Sequence, residues 1–361
     1  EYFSEDPFLS AELAVQFIKT VQGNGIGTSL KHYTANNQEY KRFSIDAEID
    51  ERPLREIYLA AFEKVVKEAN PWTVMAAYNQ INGDFATENP YLLRDILRDE
   101  WGYDNLIVSD WWAVHDRVKA LKAGLDLEMP GSDPVNDQKI VEAVKDGELT
   151  EEELDQSVRR ILDLILKAQA TKKEEQELPA AEQHQLAKEI AGETMILLKN
   201  QGNLLPLTEA RLDDKESLLV VGELAQEVRY QGIGSSQVNT TRRDTHLEAL
   251  EAKFSEQLEV HYTPGYSSKA ELEENENLKE KAMRIAENKD YVIIYAGLPD
   301  QIEAEGYDRD DMQIPKEQNQ LIKELAAVNP NIIVVLNNGS AVELSQWLDK
   351  VSAVIEAGLP G

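Results

Sequence analysis

Asp110 closes the apolar run Leu106-Ile107-Val108-Ser109, and two tryptophans, Trp111 and Trp112, follow it directly. A carboxylate beside flat apolar rings suits a sugar. The rings cover an apolar sugar face while the acid addresses the anomeric carbon. The same residues also read as a helix N-cap aspartate with packed tryptophans. Lys31-His32 closes a second run, where a charged and a neutral donor could hold sugar hydroxyls, although a buried histidine alone is more often structural. Arg42, in the loop after it, could fork onto hydroxyls or a carboxylate, and Tyr78, near the end of a third run, could steady a neighbouring acid. Much farther along, Gln301-Ile302-Glu303-Ala304-Glu305-Gly306-Tyr307-Asp308-Arg309 places two carboxylates on a loop, which by itself reads as a solvated acidic loop. Gly232-Ile233-Gly234-Ser235-Ser236 lacks the lysine of a P-loop and the third glycine of a dinucleotide fingerprint, so it reads as a bending loop. The histidines at 32, 115, 184, 246 and 261 are too dispersed to suggest a metal centre, and no cofactor is expected.

Elements able to position these groups recur along the chain. Residues 11–21 carry Leu13, Ala14, Phe17, Ile18 and Val21 at helical spacing, and residues 52–69 carry Leu54, Ile57, Tyr58, Ala61, Phe62, Val65 and Val66. Strand-like runs end at His32-Tyr33, at Tyr78, at Asp110 and at Met129, with helical patterns over 91–101 and 114–123 between them. Alternation of this kind implies parallel βα units, and four in a row with polar residues after each run suggest half of a (β/α)8 barrel, whose chemistry gathers at the C-terminal strand ends. A doubly wound sheet is the competing architecture. Residues 135–170 read as helical, 171–181 as a charged linker, and 181–198 as a helix. Apolar runs at 218–221, 292–295, 332–336 and 354–355 then point to an open α/β sandwich. The fold class is therefore α/β, with a partial barrel over 1–170 and a partial sandwich over 182–361.

Composition narrows the partners. With 361 residues, more than one core is expected, and 42% hydrophobic content suits a globular chain. Lysine and arginine total 37 against 67 acidic residues, a net charge of −30, which repels nucleic-acid backbones and favours a neutral small substrate. The absence of cysteine excludes disulfides and thiolate metal sites and leans towards a reducing, cytoplasmic setting. No run approaches the roughly 20 apolar residues of a membrane helix. The sequence starts Glu1-Tyr2-Phe3 without methionine and stops at Pro360-Gly361 after an apolar run, so both ends read as cut from a longer chain.

Taken together, Lys31-His32-Tyr33-Thr34-Ala35-Asn36-Asn37-Gln38-Glu39, Val108-Ser109-Asp110-Trp111, Ala123-Gly124-Leu125-Asp126-Leu127-Glu128-Met129-Pro130-Gly131 and the stretch from Leu298-Pro299 to Arg309 resemble family 3 glycoside hydrolases of the β-glucosidase branch. The resemblance covers the chain in the family's order. It implies a retaining, exo-acting β-glucosidase in which Asp110 attacks the anomeric carbon and Glu305, with Glu303 as runner-up, serves as acid and then base. It further implies that Lys31, His32 and Arg42 bind sugar hydroxyls, that Tyr78 supports Asp110, that Trp111 stacks, and that Ser235 reaches in from the second domain. Retention asks for two carboxyls about 5–5.5 Å apart, so the family pattern implies that the two acids meet across the substrate, raising the pKa of the acid/base. The family's first barrel half is missing from this sequence, so these parts of its own barrel join a β-glucoside or oligosaccharide as expected partners, with a homo-oligomer also open. The N-acetylglucosaminidase branch, a β-xylosidase and an inactive sugar-binding fragment are the alternatives. The first of these fits less well because Thr34-Ala35 stands where that branch has proline and glycine.

Overall fold

The computed structural model describes the chain except for residues 1–2, 132–133, 174–177, 209–211, 213–216, 255, 257, 270–271 and 360–361. It separates into two compact units, Glu1–Gln176 and Glu177–Gly361. The central part of the charged segment expected as a linker, 174–177, lies outside the described residues.

In the first unit, helix α1 (Pro7–Gly23) starts where the Asp6 side chain accepts the Phe8 N–H, with proline in the first turn. Its buried stripe is Ala11, Ala14, Val15 and Ile18, whereas Leu13 and Phe17, expected on the inner face, are exposed. Small residues let α1 lie close to Val65 and Ala69, and Val15 and Ile18 fill that seam. Strand β1 (Ser29–Tyr33) and the short β2 (Asp46–Ala47) follow. The helix expected over 52–69 is broken into α2 (Glu51–Pro53), a π-helical turn over Leu54–Tyr58 and α3 (Ala60–Ala69), and the wider turn leaves Ile57 exposed. Next come β3 (Thr73–Ala76), the small ribbon β4 (Gln80–Ile81) and β5 (Asp84–Phe85), a π-helical segment Tyr91–Glu100, β6 (Leu106–Trp111), α4 (Arg117–Ala123) and β7 (Leu127–Met129). The helical stretch expected over 135–170 is two helices, α5 (Pro134–Lys145) and α6 (Glu151–Thr171). Thr150 and Glu153 form a capping box that starts the second one afresh.

The main sheet of this unit is four-stranded, β1-β3-β6-β7, every pair parallel. Each strand lies beside the next along the chain. A doubly wound sheet would reverse direction, so the sequential order is that of a half barrel. Leu92, Leu93, Ile96 and Leu97 from the π-helical segment pack with Tyr33, Val74 and Ile107 in its core. One buried carboxylate locks the sheet to its helices. Asp126 Oδ2 accepts from Arg98 Nη2 at 2.6 Å and from the Ile107 N–H at 2.8 Å, and its Oδ1 accepts from Arg160 Nη1 at 3.0 Å.

The second unit contains α7 (Ala180–Thr194), β8 (Ile196–Asn200), β9 (Ser217–Val221), α8 (His246–Phe254), β10 (Glu259–Thr263), α9 (Leu272–Ala286), β11 (Tyr291–Gly297), α10 (Lys316–Val328), β12 (Ile332–Asn337) and β13 (Ala353–Glu356). Its six-stranded sheet runs β10-β9-β11-β12-β13-β8, parallel except for the last pair. The helix expected to reach Leu198 therefore stops at Thr194, because Ile196-Leu197-Leu198 is taken into the sheet as an antiparallel edge. Strands β9, β11 and β12 are buried on both faces, which is why they read as continuous apolar runs.

Candidate functional site

In the first unit the C-terminal strand ends converge on Asp110. Strand β6 carries Ile107 and Val108 into the core and delivers Asp110 at its end, 8% exposed. The end is tied to β7: Ser109 Oγ accepts the Met129 N–H at 2.7 Å, and the Trp112 N–H donates to Met129 O at 2.9 Å. Asp110 Oδ1 accepts the Trp111 N–H at 2.6 Å, and His32 Nε2, from the end of β1, stands 3.2 Å from Oδ2. Tyr78, two residues beyond β3, adds a hydrogen bond from its phenol. Burial alone would push the Asp110 carboxyl up. The bonds from His32, the Trp111 amide and Tyr78 outweigh it and hold the group below the usual aspartate value, so it is charged at neutral pH.

Arg42 joins this cluster through Tyr78. Its Cζ lies 4.9 Å from the Tyr78 ring centroid, and Phe43 packs against the same ring at 4.4 Å. Glu39 fixes the guanidinium, accepting from Arg42 Nη1 at 2.8 Å. Lys31 lies beside His32 on β1 with its side chain exposed, and Trp111 is 52% exposed. Thus His32, Tyr78 and Asp110 are in direct contact, Arg42 is one ring away, and Lys31 and Trp111 flank them along the chain. Sequence reasoning passed over Glu39 and Phe43 as members of the site. The three-residue spacing of Glu39 and Arg42 was the available signal, since such spacing lets an acid reach a base within one turn.

In the second unit the loop after β11 treats its two glutamates differently. Glu305 Oε2 accepts both the Ser235 N–H at 2.8 Å and Ser235 Oγ at 2.7 Å. The approach needs glycine at 234. Its φ is +93°, and a Cβ there would stand 2.5 Å from Glu305 Oε2. Glu303 has other partners: Arg229 Nη1 donates to Oε2 at 2.5 Å, the Gly339 N–H does so at 2.8 Å, and Ser340 Oγ donates to Oε1. Arg229 also reaches Asp300, Leu298 O and Glu303 O, which pins the start of the loop. Burial would raise the Glu303 pKa, but Ser340, the Gly339 amide and Arg229 together bring it below the usual glutamate value. Two acids spaced by one alanine therefore have different partners: Glu303 is locked to Arg229, and Glu305 is bonded by Ser235. Among the described residues, no group of three or more His, Asp or Glu could hold a metal ion.

Residues 1–164 match a sequence model of the glycosyl hydrolase family 3 N-terminal domain, and residues 195–361 match that of the family 3 C-terminal domain. Over its whole length the chain is 47% identical to thermostable beta-glucosidase B of Acetivibrio thermocellus, covering 47% of that protein. It is 40% identical to exo-alpha-(1->6)-L-arabinopyranosidase of Bifidobacterium longum, again over all of this chain and 48% of the relative. The crystal structure of the Bifidobacterium adolescentis GH3 beta-glucosidase superposes with a TM-score of 0.91 at 41% identity, covering 100% of this chain and 52% of that one. The chain thus spans about half the length of the curated relatives it matches.

Proposed function

The chain belongs to glycosyl hydrolase family 3, and on that premise we propose that it carries the catalytic acids of a retaining exo-β-glucosidase. The observation that carries the reading is the charged Asp110, seated at a strand end under His32, the Trp111 amide and Tyr78, with aromatic surface beside it. An ionised carboxylate in that setting is a nucleophile. One oxygen of Asp110 forms a bond to the anomeric carbon while the glycosidic C–O bond breaks, and Glu305 passes its proton to the departing oxygen. Glu305 then takes a proton from water, whose oxygen attacks the same carbon and releases Asp110.

The unlike surroundings of the two loop glutamates support Glu305 over Glu303 for the acid/base role. A carboxylate locked to Arg229 and kept below its usual pKa is poorly suited to deliver protons, which leaves Glu305 as the better candidate. Lys31, His32 and Arg42 would hold hydroxyls of the sugar whose bond is cleaved, and Trp111 would cover its apolar face. Ser235 orients Glu305.

The beta-glucosidase named among the relatives supports a β-D-glucoside as substrate, and the arabinopyranosidase supplies the contrasting test. In the complete enzyme, a 2-deoxy-2-fluoro β-glucoside is expected to label Asp110, as read by mass spectrometry of the digested protein. Label on another residue, or turnover of an aryl α-L-arabinopyranoside without turnover of the aryl β-glucoside, removes the assignment.

A further inference from the structure

The residues on either side of Glu305 offer no side chain to anchor it. Ala304 presents only a methyl group, Gly306 presents nothing and turns at a φ of 92°, and Tyr307 beyond it is 63% exposed. Where such a stretch stands is set by how its two ends are tied. The near end is held by Arg229, which binds Leu298 O, Asp300 and Glu303. The far end is held by Arg309, whose Nε donates to Asp311 O at 3.2 Å and whose Nη1 donates to Ala341 O at 3.0 Å.

One hydroxyl joins the two ends. Ser340, in the turn after β12, donates to Glu303 Oε1, two residues before Glu305, and accepts from Arg309 Nη1 at 2.7 Å, four residues after it. A serine hydroxyl has one proton to give and lone pairs to accept with. Here the anion takes the proton and the cation the lone pair, so both bonds are charge-assisted. The turn that carries Ser340 is itself fixed. Asn338, 5% exposed, donates from Nδ2 to Ser340 O at 2.9 Å and to Glu356 Oε2 at 3.0 Å, and the Gly339 N–H reaches Glu303. Ser340 is exposed, so it fills no core space, and replacing a surface hydroxyl costs a fold little. We infer that Ser340 is a positioning residue that closes the 303–309 loop on itself and thereby sets the aim of the Glu305 carboxyl. The inference rests on the hydrolase reading above and deepens it.

The test uses the complete enzyme as wild type, S340A, S340T and Glu305→Ala, with cellobiose and 2,4-dinitrophenyl β-glucoside. A glucose leaving group needs the proton of an acid, whereas dinitrophenolate departs without one. Displacing a catalytic group by 1 Å costs about a hundredfold, so a smaller shift in S340A should lower kcat/KM for cellobiose about tenfold and that for the dinitrophenyl glucoside less than about twofold. Arg229 keeps its hold on Glu303 in this variant, which confines the loss to the proton-transfer step. S340T retains the hydroxyl and should bring cellobiose back to within about twofold of wild type. The Tm of S340A should stay within about 2 °C of wild type. Equal falls with both substrates overturn the inference, as does an unchanged cellobiose rate, an S340T variant as slow as S340A, or a Tm lowered by more than about 4 °C. A wild-type enzyme that cleaves neither substrate removes the hydrolase reading, and a Glu305→Ala variant that loses both equally removes the acid assignment. With those two controls behaving as expected, an unaltered S340A removes the inference alone.

Discussion

Asp110 and Glu303 share a physical situation. Burial would neutralise each, and donors aimed at each keep it charged. For both, the folded pKa lies below the unfolded one. Their stabilisation is therefore complete above the ordinary carboxylate range near pH 4 and is lost as pH falls through the lower folded value. Removing one donor should be visible in catalysis. Tyr78→Phe deletes a bond that favours the ionised Asp110, so the acid limb of the kcat/KM profile should move upward in pH. An unmoved limb would separate Tyr78 from the nucleophile. The two loop glutamates should part in the same way. Glu305→Ala is expected to cost about 10²–10⁴-fold on substrates with poor leaving groups while sparing activated aryl glucosides, with rescue by azide. Glu303→Gln should lower every substrate alike, by about tenfold, without azide rescue, because it loosens the loop rather than the proton transfer. Equal behaviour of the two variants would void the distinction. At this scale the sequence was legible wherever a functional group ended an apolar run, as with His32, Tyr78 and Asp110. Only the family resemblance put Glu305 ahead of Glu303, because Arg229, which binds Glu303, lies far back in the chain and meets it only after folding.

Elements were readable where periodicity and burial agree and misleading where they part. The two-sided burial of β9, β11 and β12 left unbroken apolar runs, so those strands could be recognised directly. Residues 196–198 are equally apolar, but their side chains are exposed in the chain as described, and the run followed a helix without a break in pattern. Only its pairing with β13 decides for strand, and pairing is a nonlocal fact. The π-helical turn at Leu54–Tyr58 rotated Ile57 outward for a similar reason, since a widened turn has no simple signature in residue type. Asp126 is the element-scale feature with the largest expected effect. Its side chain is 1% exposed and pairs with Arg98, itself 7% exposed, and it also binds Arg160 and the Ile107 amide. Asp126→Ala should leave Arg98 buried without its partner and cost about 3–5 kcal/mol in urea unfolding of the complete protein. A loss below about 1 kcal/mol would mean the clamp adds little.

At the scale of the whole chain, exposed apolar surface competes with charge. On α6, Val158, Leu162, Ile165 and Leu166 are exposed, and Leu186 and Ile190 of α7 and Ile196, Leu197 and Leu198 of β8 are exposed as well. Surfaces of this size favour association, whereas a net charge of −30 opposes it. The isolated 361-residue chain should therefore self-associate more as salt is raised from about 0.01 to 1 M, since the screening length shrinks from about 30 to 3 Å. Sedimentation velocity at the two ionic strengths checks this, and a monomer at both would show that the apolar faces are not adhesive. The sequential order of the first sheet and the late closure of the second also set a timetable during synthesis. Strands β1, β3, β6 and β7 each find their neighbour in the next βα unit to leave the ribosome, so that sheet can grow as the polypeptide emerges. Among the described residues, β8 precedes the other strands of its sheet in the chain, yet it pairs with β13, which follows all of them. Throughout that interval Ile196-Leu197-Leu198 remains an open sticky segment on the nascent chain, a stretch for a chaperone to shield.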